Sequence, residues 1–376
     1  QVYNLYCLNK NISENIVLVK NIAKIINLNE YSECVYNDFQ FSINKGEKKY
    51  QFKDILMGDL DGENFNNKEK KIYLNKKTVK KFIFKDELII SNDLIKEKMD
   101  IYFRPKSRIC IKKGKILYIK DSKIFFEGTK ENPNTFLGCS KDGGSIIIEN
   151  SLVNIGVLKT SNLNAPKVKL RTLYGGINII KSNIEGDQIT LENSFSEDSI
   201  NFIDSKIKLN KLEFNKINSD AIDSDFSEFN IKNITCKDIG NDCIDLSFSK
   251  GYIGKVDGDN IKDKLISLGE SSSLLVSDIN ASNSAIGLVS KDNSKLTIQN
   301  FSYKNIDVPI ATYIKKQEFG RPYIKIMKIK PKKYNLMYIS DDSEVEIENE
   351  KIIGRNKSKN ILNLLYGKLY GTKTKR

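Results

Sequence analysis

The chain has 376 residues, no His, no Trp and a formal net charge of +13. Without imidazole, Ser-His-Asp and Cys-His catalysis and the commonest metal ligand are excluded, so any chemistry rests on Asp, Glu, Lys, Arg, Tyr or a bound ion. A hydrophobic content of 39% fits a globular protein with a sizeable core, and no apolar run is long enough to offer a membrane span.

Residues 1–100 lack any internal period and read as an N-terminal cap module of mixed structure. The stretch Ser13–Leu28 fits a short helix or two strands, and Glu69–Ser91 reads as strands with Lys on the wet face. Asp59, Asp61 and Glu63 alternate around Gly62, but the twelfth position of a calcium loop falls on Lys70, so a turn is expected there. The chain opens at Gln1. That fits removal of an export signal or a chain trimmed at that point, and a secreted or cell-surface location is expected.

Residues 101–320 carry the repeat. Asp198, Asp220 and Asp242 share one spacing of 22, and the next step lands on Lys264. Ile200, Ile222, Ile244 and Ile266 keep the same period. So do Leu209, Ile231, Ile253 and Leu275, and Ser205, Ser227, Ser249 and Ser271. No insertion is needed across these four units. Short β-rich pieces broken by Asn, Asp, Ser and Gly, with no helical periodicity, point to a solenoid of β-coils. Its interior is a set of apolar ladders, since one coil cannot bury its apolar face alone.

The stretches "GTKENP", "GGINIIKSN", "SDAIDSDFS" and "GNDCIDLSFS" resemble the right-handed parallel β-helix proteins of the pectate-lyase-like superfamily. The resemblance implies an all-β, single-stranded, right-handed parallel β-helix of about 22 residues per coil. It implies a secreted or surface protein that engages polysaccharide. It does not select among lyases, hydrolases, tailspike-like scaffolds and adhesive or structural surface proteins, because one fold hosts all of them. Many such proteins form homo-oligomers, which is allowed here too.

Residues 321–376 read as a C-terminal cap and a basic tail. "SEVEIENEKIIG" is one more coil or an edge hairpin. Lys357–Gly371 places Ile361, Leu364, Leu365 and Leu369 on one face of an amphipathic helix, expected to cap the last coil. No phosphate-binding loop or nucleic-acid motif accompanies the basic charge. Cys236 and Cys243 are read as small buried hydrophobes, and pairing of Cys7, Cys34, Cys110 and Cys139 is left open.

Charge follows the same organisation. Between Ser194 and Asp307 there are 13 basic and 18 acidic residues, so an acidic middle sits between basic ends. Alternation puts Ile222 inside and Asp223 and Asp225 outside, with Asp245 in the column of Asp223. Carboxylates at ladder distance repel, so they call for raised pKa values, nearby Lys or a cation. Asp223, Asp225 and Asp245 are therefore candidate catalytic residues of a glycoside hydrolase. Related β-helix polygalacturonases use clustered Asp in this way, but they also use a His that is missing here. Asp198, Asp220 and Asp242 are candidate calcium ligands for a polyuronate lyase. Lys250, Lys264, Tyr313, Lys315 and Arg321 are candidate sugar contacts. The plain alternative is that these acids satisfy turn N–H groups and keep the coils wet.

Overall fold

The computed structural model describes residues 2–7, 10–17, 40–43, 48–51, 80–166, 172–331, 336–367 and 370. The chain divides into two units, Gln1–Asn75 and Lys76–Arg376. In the first, four antiparallel strands form a sheet in the order Lys10–Val17, Val2–Cys7, Gln40–Ile43, Lys48–Gln51. The stretch expected to be helix or strand from Ser13 starts as strand through Val17. Its remainder, and Asp59, Asp61 and Glu63, lie outside the described residues.

The second unit is a parallel β-solenoid. The sequence period becomes main-chain pairing, because residues one coil apart share a rung: Ile200, Ile222, Ile244 and Ile266 register in turn. All four are buried in one continuous apolar core with Leu288 and Ile310 above them. Each such Ile removed from water contributes roughly 1.5–3 kcal/mol. A slip of one residue would turn the whole ladder outward. The coils extend on both sides of the repeat visible in the sequence. Lys81–Phe84 already pairs with Asp100–Phe103, and Tyr323–Lys330 pairs with both Lys295–Tyr313 and Glu344–Ile347. Glu344–Ile347 is both things expected of it. It adds a rung to the solenoid, then turns back as a hairpin onto Glu350–Ile352.

Two expected columns shift by one residue. Ile253 registers with Val276, not Leu275, and Ser249 bonds to Ser272, not Ser271. Val276 is fully buried, whereas Leu275 is 37% exposed. The reason is one extra residue in the turn after Gly269, where Glu270 and Ser271 both take left-handed backbone (φ 47° and 60°). The coils are therefore not free of insertions.

The serine column is a structural device. The hydroxyls of Ser122, Ser151, Ser182, Ser205, Ser227, Ser249, Ser272 and Ser294 sit at one corner of successive coils. Each from Ser151 onward accepts the N–H of the serine one coil earlier, at 3.0–3.1 Å. Most also donate to the carbonyl two residues before, as Ser205 does to Ile203. The residue before each serine has φ between 47° and 63°, which breaks the strand ladder and orphans the serine N–H. The hydroxyl ladder satisfies it.

Cys236 and Cys243 correct the sequence reading. Both are buried, but they are joined as a disulfide. A second disulfide links Cys110 and Cys139.

The C-terminal helix is shorter than its amphipathic pattern, Ser358–Leu365, and lies elsewhere than expected. It covers a side of the solenoid. Ile361 and Leu365 bury against Ile286, Val289, Val308, Ala311 and Tyr313, a second apolar cluster separate from the main core. Alternation explains it: Leu288 and Ile310 point into the core, so Val289 and Ala311 point out under the helix. No helix among the described residues is long and apolar enough to cross a membrane.

Candidate functional site

Strands Asp198–Ile203, Asp220–Asp225, Ile244–Ser247 and Lys264–Gly269, with the ends of Ser273–Lys291 and Lys295–Tyr313, form one sheet of the solenoid. Its outer surface carries three columns. One runs from Asp198 through Asp220 and Asp242 to Lys264, Ile286 and Val308. The second runs from Asn201 through Asp223, Asp245 and Ser267 to Val289 and Ala311. The third holds Ile203, Asp225, Ser247 and Gly269, then Lys291 paired with Tyr313. The expected register of Asp223 with Asp245 is thus present, one rung or about 4.8 Å apart. We call the polar part of these columns the acidic strip.

The acids are tied together from within. Asn201 Nδ2 donates to Asp198 Oδ2 and to Asp223 Oδ2, both at 2.9 Å. Asp220 Oδ1 accepts the main-chain N–H of Asp242 at 2.8 Å. Asp242 Oδ1 accepts the Lys264 N–H at 2.9 Å. The buried Lys264 ammonium lies 3.3 Å from Asp242 and 2.6 Å from Asp263. Lys291, also buried, reaches across Gly269 to place Nζ 3.9 Å from Asp245 Oδ1. Position 269 lies directly along that path, with Lys291 Cε 3.6 Å from where a Cβ would stand, an ordinary van der Waals contact.

Electrostatics follow from burial. Desolvation, with the charges of neighbouring acids, pushes Asp223 up to about 9 and Asp198 up to about 7. Burial and then Asp242 and Asp245 hold Asp220 well above the carboxylate range. Burial raises Asp225 as well. Burial works against the Lys264 ammonium, but Asp242 and Asp263 outweigh it and keep the lysine charged. Lys291 is raised in the same way by Asp245. The Tyr366 hydroxyl, 3.1 Å from that of Tyr313, faces the opposite balance. Burial alone would raise it, but Lys291, Lys264 and Lys315 bring it below the usual phenol range.

Not every candidate residue joins this strip. Lys264 does, as a buried counter-charge. Lys250 is exposed at the start of another strand and pairs with Glu228 at 3.0 Å. Tyr313 is fully buried under the helix and offers no ring to a sugar. Lys315 places Nζ 5.0 Å from the centre of the Tyr366 ring. Arg321 is exposed on the loop before Tyr323. Among the described residues no three Cys, Asp or Glu side chains converge to hold a metal ion. Calcium at the corner of Asp198, Asp220 and Asp242 would have to displace the Lys264 ammonium from Asp242.

Lys291, Glu270 and Tyr366 escaped the sequence reading. Lys291 was within reach, because it follows Gly269 by one coil. Glu270 sits in the extra turn residue that broke the period. It holds Ser247 Oγ at 2.7 Å and Lys316 Nζ at 2.5 Å. Tyr366 arrives from the helix, and no period points to it.

No family model and no curated protein matches this chain. Among solved structures it is similar to the crystal structure of the Dettilon tailspike protein, at 10% sequence identity and a TM-score of 0.43. The likeness covers 71% of this chain and 62% of the tailspike chain, so the chain spans under two thirds of that protein's length.

Proposed function

We propose that the protein is an exported or surface-displayed β-solenoid that binds polysaccharide on the acidic strip. One observation carries this reading. The same outward columns are filled by apolar side chains under the helix, yet between Asp198 and Ser247 they hold five acids, Asp198, Asp220, Asp223, Asp225 and Asp242, whose burial disfavours their charge. A fold needs no such cluster, and local rules are broken where function requires it. Protonated carboxyls and the Asn201 amide both donate and accept hydrogen bonds, which matches the hydroxyls of a sugar chain. The two disulfides fit an oxidising compartment.

A second reading, glycoside hydrolysis, is favoured by the contrast between two neighbours. Asp223, pushed up to about 9, keeps its proton at neutral pH and suits a general acid. Asp245, one rung from Asp223, has the Lys291 ammonium 3.9 Å away and would serve as base or nucleophile. As bases for a lyase mechanism the charged Lys264 and Lys291 are poor candidates.

Affinity electrophoresis through gels containing polygalacturonate, xylan or dextran tests binding. The wild type should be retarded by at least one polymer, and the Asp223→Asn, Asp245→Asn variant should not. Release of reducing ends, lost in Asp223→Asn, would extend the reading to hydrolysis. Calorimetric titration with calcium separates a metal-dependent strip from a metal-free one, with the same double variant as control.

A further inference from the structure

The corner occupied by the serine ladder has a second regularity, broken at two places. The residue before each serine takes left-handed backbone. In six of the eight coils it is Asp121, Asn150, Lys181, Asp204, Ser271 or Asn293, polar residues suited to an exposed turn. In the two central coils it is Phe226 (φ 55°) and Phe248 (φ 50°). A bulky aromatic side chain is unfavourable in this region, where Asn is the best tolerated after Gly. Both rings are also exposed, Phe226 at 59% and Phe248 at 43%. They lie parallel, 3° apart with centroids separated by 4.8 Å, and Phe319, from the loop between Tyr313 and Tyr323, leans in at 5.9 Å from Phe248. One aromatic pair returns less than two left-handed Phe residues cost. The stack is therefore not explained by folding, and such strain gathers at functional sites.

Its position is informative. Phe226 follows Asp225 and Phe248 follows Ser247, so the stack borders the third column of the acidic strip. Beside it, Glu270 is fixed by Ser247 and Lys316. The corresponding corners of the flanking coils, Asp204 and Ser271, are polar and exposed, which limits the apolar patch to these rings. A protein partner would need a broader apolar surface. A pyranose ring presents a small face of polarised C–H bonds, which suits the negative face of an aromatic ring, and a rim of hydroxyls, which suits the carboxyl, hydroxyl and ammonium groups alongside.

We infer that Phe226, Phe248 and Phe319 form a stacking platform for one sugar ring of the polysaccharide that the acidic strip engages. This rests on the polysaccharide reading above. The test is the Phe226→Asn, Phe248→Asn double variant, which installs the residue that Asn150 and Asn293 supply at the same corner. Because strain is relieved, its melting temperature should rise by about 2 °C or more. In the same polygalacturonate, xylan and dextran gels, its affinity for the retarding polymer should fall about tenfold. A lower melting temperature would show that the rings hold the turn together and would overturn the platform. Unchanged retardation, alongside retardation lost in Asp223→Asn, Asp245→Asn, would overturn the platform and leave the strip. No retardation of the wild type in any gel would overturn both.

Discussion

The outward columns of one sheet make two different surfaces. At Ile286, Val289, Val308, Ala311 and Tyr313 they are apolar and covered by the C-terminal helix. A few rungs away, at Asp198, Asp220, Asp223, Asp225, Asp242 and Asp245, the same backbone positions hold acids, most of them tied by one amide, main-chain N–H groups and two lysines. Beneath both, one inward column stays apolar without a break, from Ile200, Ile222, Ile244 and Ile266 to Leu288 and Ile310. Inward columns are thus fixed by register and burial, while outward columns are free to differ. The apolar end gains stability from its cover. The acidic end loses stability by keeping charges half out of water. Lys264 and Lys291 stand at the boundary between the two.

Breaking that boundary should have the largest effect. Lys264→Ala would leave Asp242 and Asp263 buried without their ammonium. Removing one partner of a buried pair costs about 3–5 kcal/mol, and urea unfolding should show it as a lower midpoint. Lys264→Met, with Asp242→Asn and Asp263→Asn, should recover most of the loss, because the penalty comes from the uncompensated charge. A loss that persisted in the triple variant would assign the lysine to packing instead.

Uncovering the apolar end comes next. Ile361→Ala removes a buried side chain between helix and sheet, and a cost of about 2–4 kcal/mol is expected. Hydrogen exchange should then rise in the helix and along the outer strand ends, while the interior Ile ladder stays protected. Equal loss of protection in both would mean that the side cover and the coils unfold as one unit.

The acidic end should respond to pH with a definite sign. Asp223 titrates at about 9 in the folded protein and near 3.9 when unfolded. Between those values the folded chain holds a proton that the unfolded chain has lost. Its stabilising contribution is complete below about pH 4 and is lost as pH rises towards 9. Asp198, at about 7, adds a fall of the same sign from about pH 4 to 7. The melting temperature should therefore drop between pH 5 and pH 8. Asp223→Asn, which mimics the protonated acid and can still accept from Asn201, should flatten that drop by a few degrees. A melting temperature that stays flat over this interval would mean that the strip is solvated and its carboxyls titrate normally.

The sequence made the two ends unequally legible. Inward columns could be read because one period governs them, and alternation then placed Asp223 and Asp245 together on the outside. The period failed where one residue was added, after Gly269, so Leu275 and Ser271 each stood one place from the true ladder. It also could not show what lies over the outer face. The helix that buries Tyr313 and delivers Tyr366 comes from far along the chain, and no local pattern specifies which side of a solenoid it will cover. Cys236 and Cys243 read as buried hydrophobes because burial was legible and proximity across a corner was not. Phe226 and Phe248 could have been noticed, since they repeat at 22 and precede the serine column. Only the backbone shows that this position is left-handed and costly for them.

The smallest expected effect distinguishes two lysines that the sequence treated alike. Lys250 and Lys264 each follow the repeat close to an acidic tag. Lys250 pairs with Glu228 in solvent, with its side chain 68% exposed, whereas the Lys264 side chain is 5% exposed. An exposed pair gains little, because water screens it and two long side chains lose freedom to form it. Lys250→Ala should leave the melting curve and retardation in the polysaccharide gels unchanged. A loss of retardation without a change in melting would extend the glycan-binding surface around the corner from the strip. The difference between the two ends of the outer columns would then concern which face is charged, and no longer which face is buried.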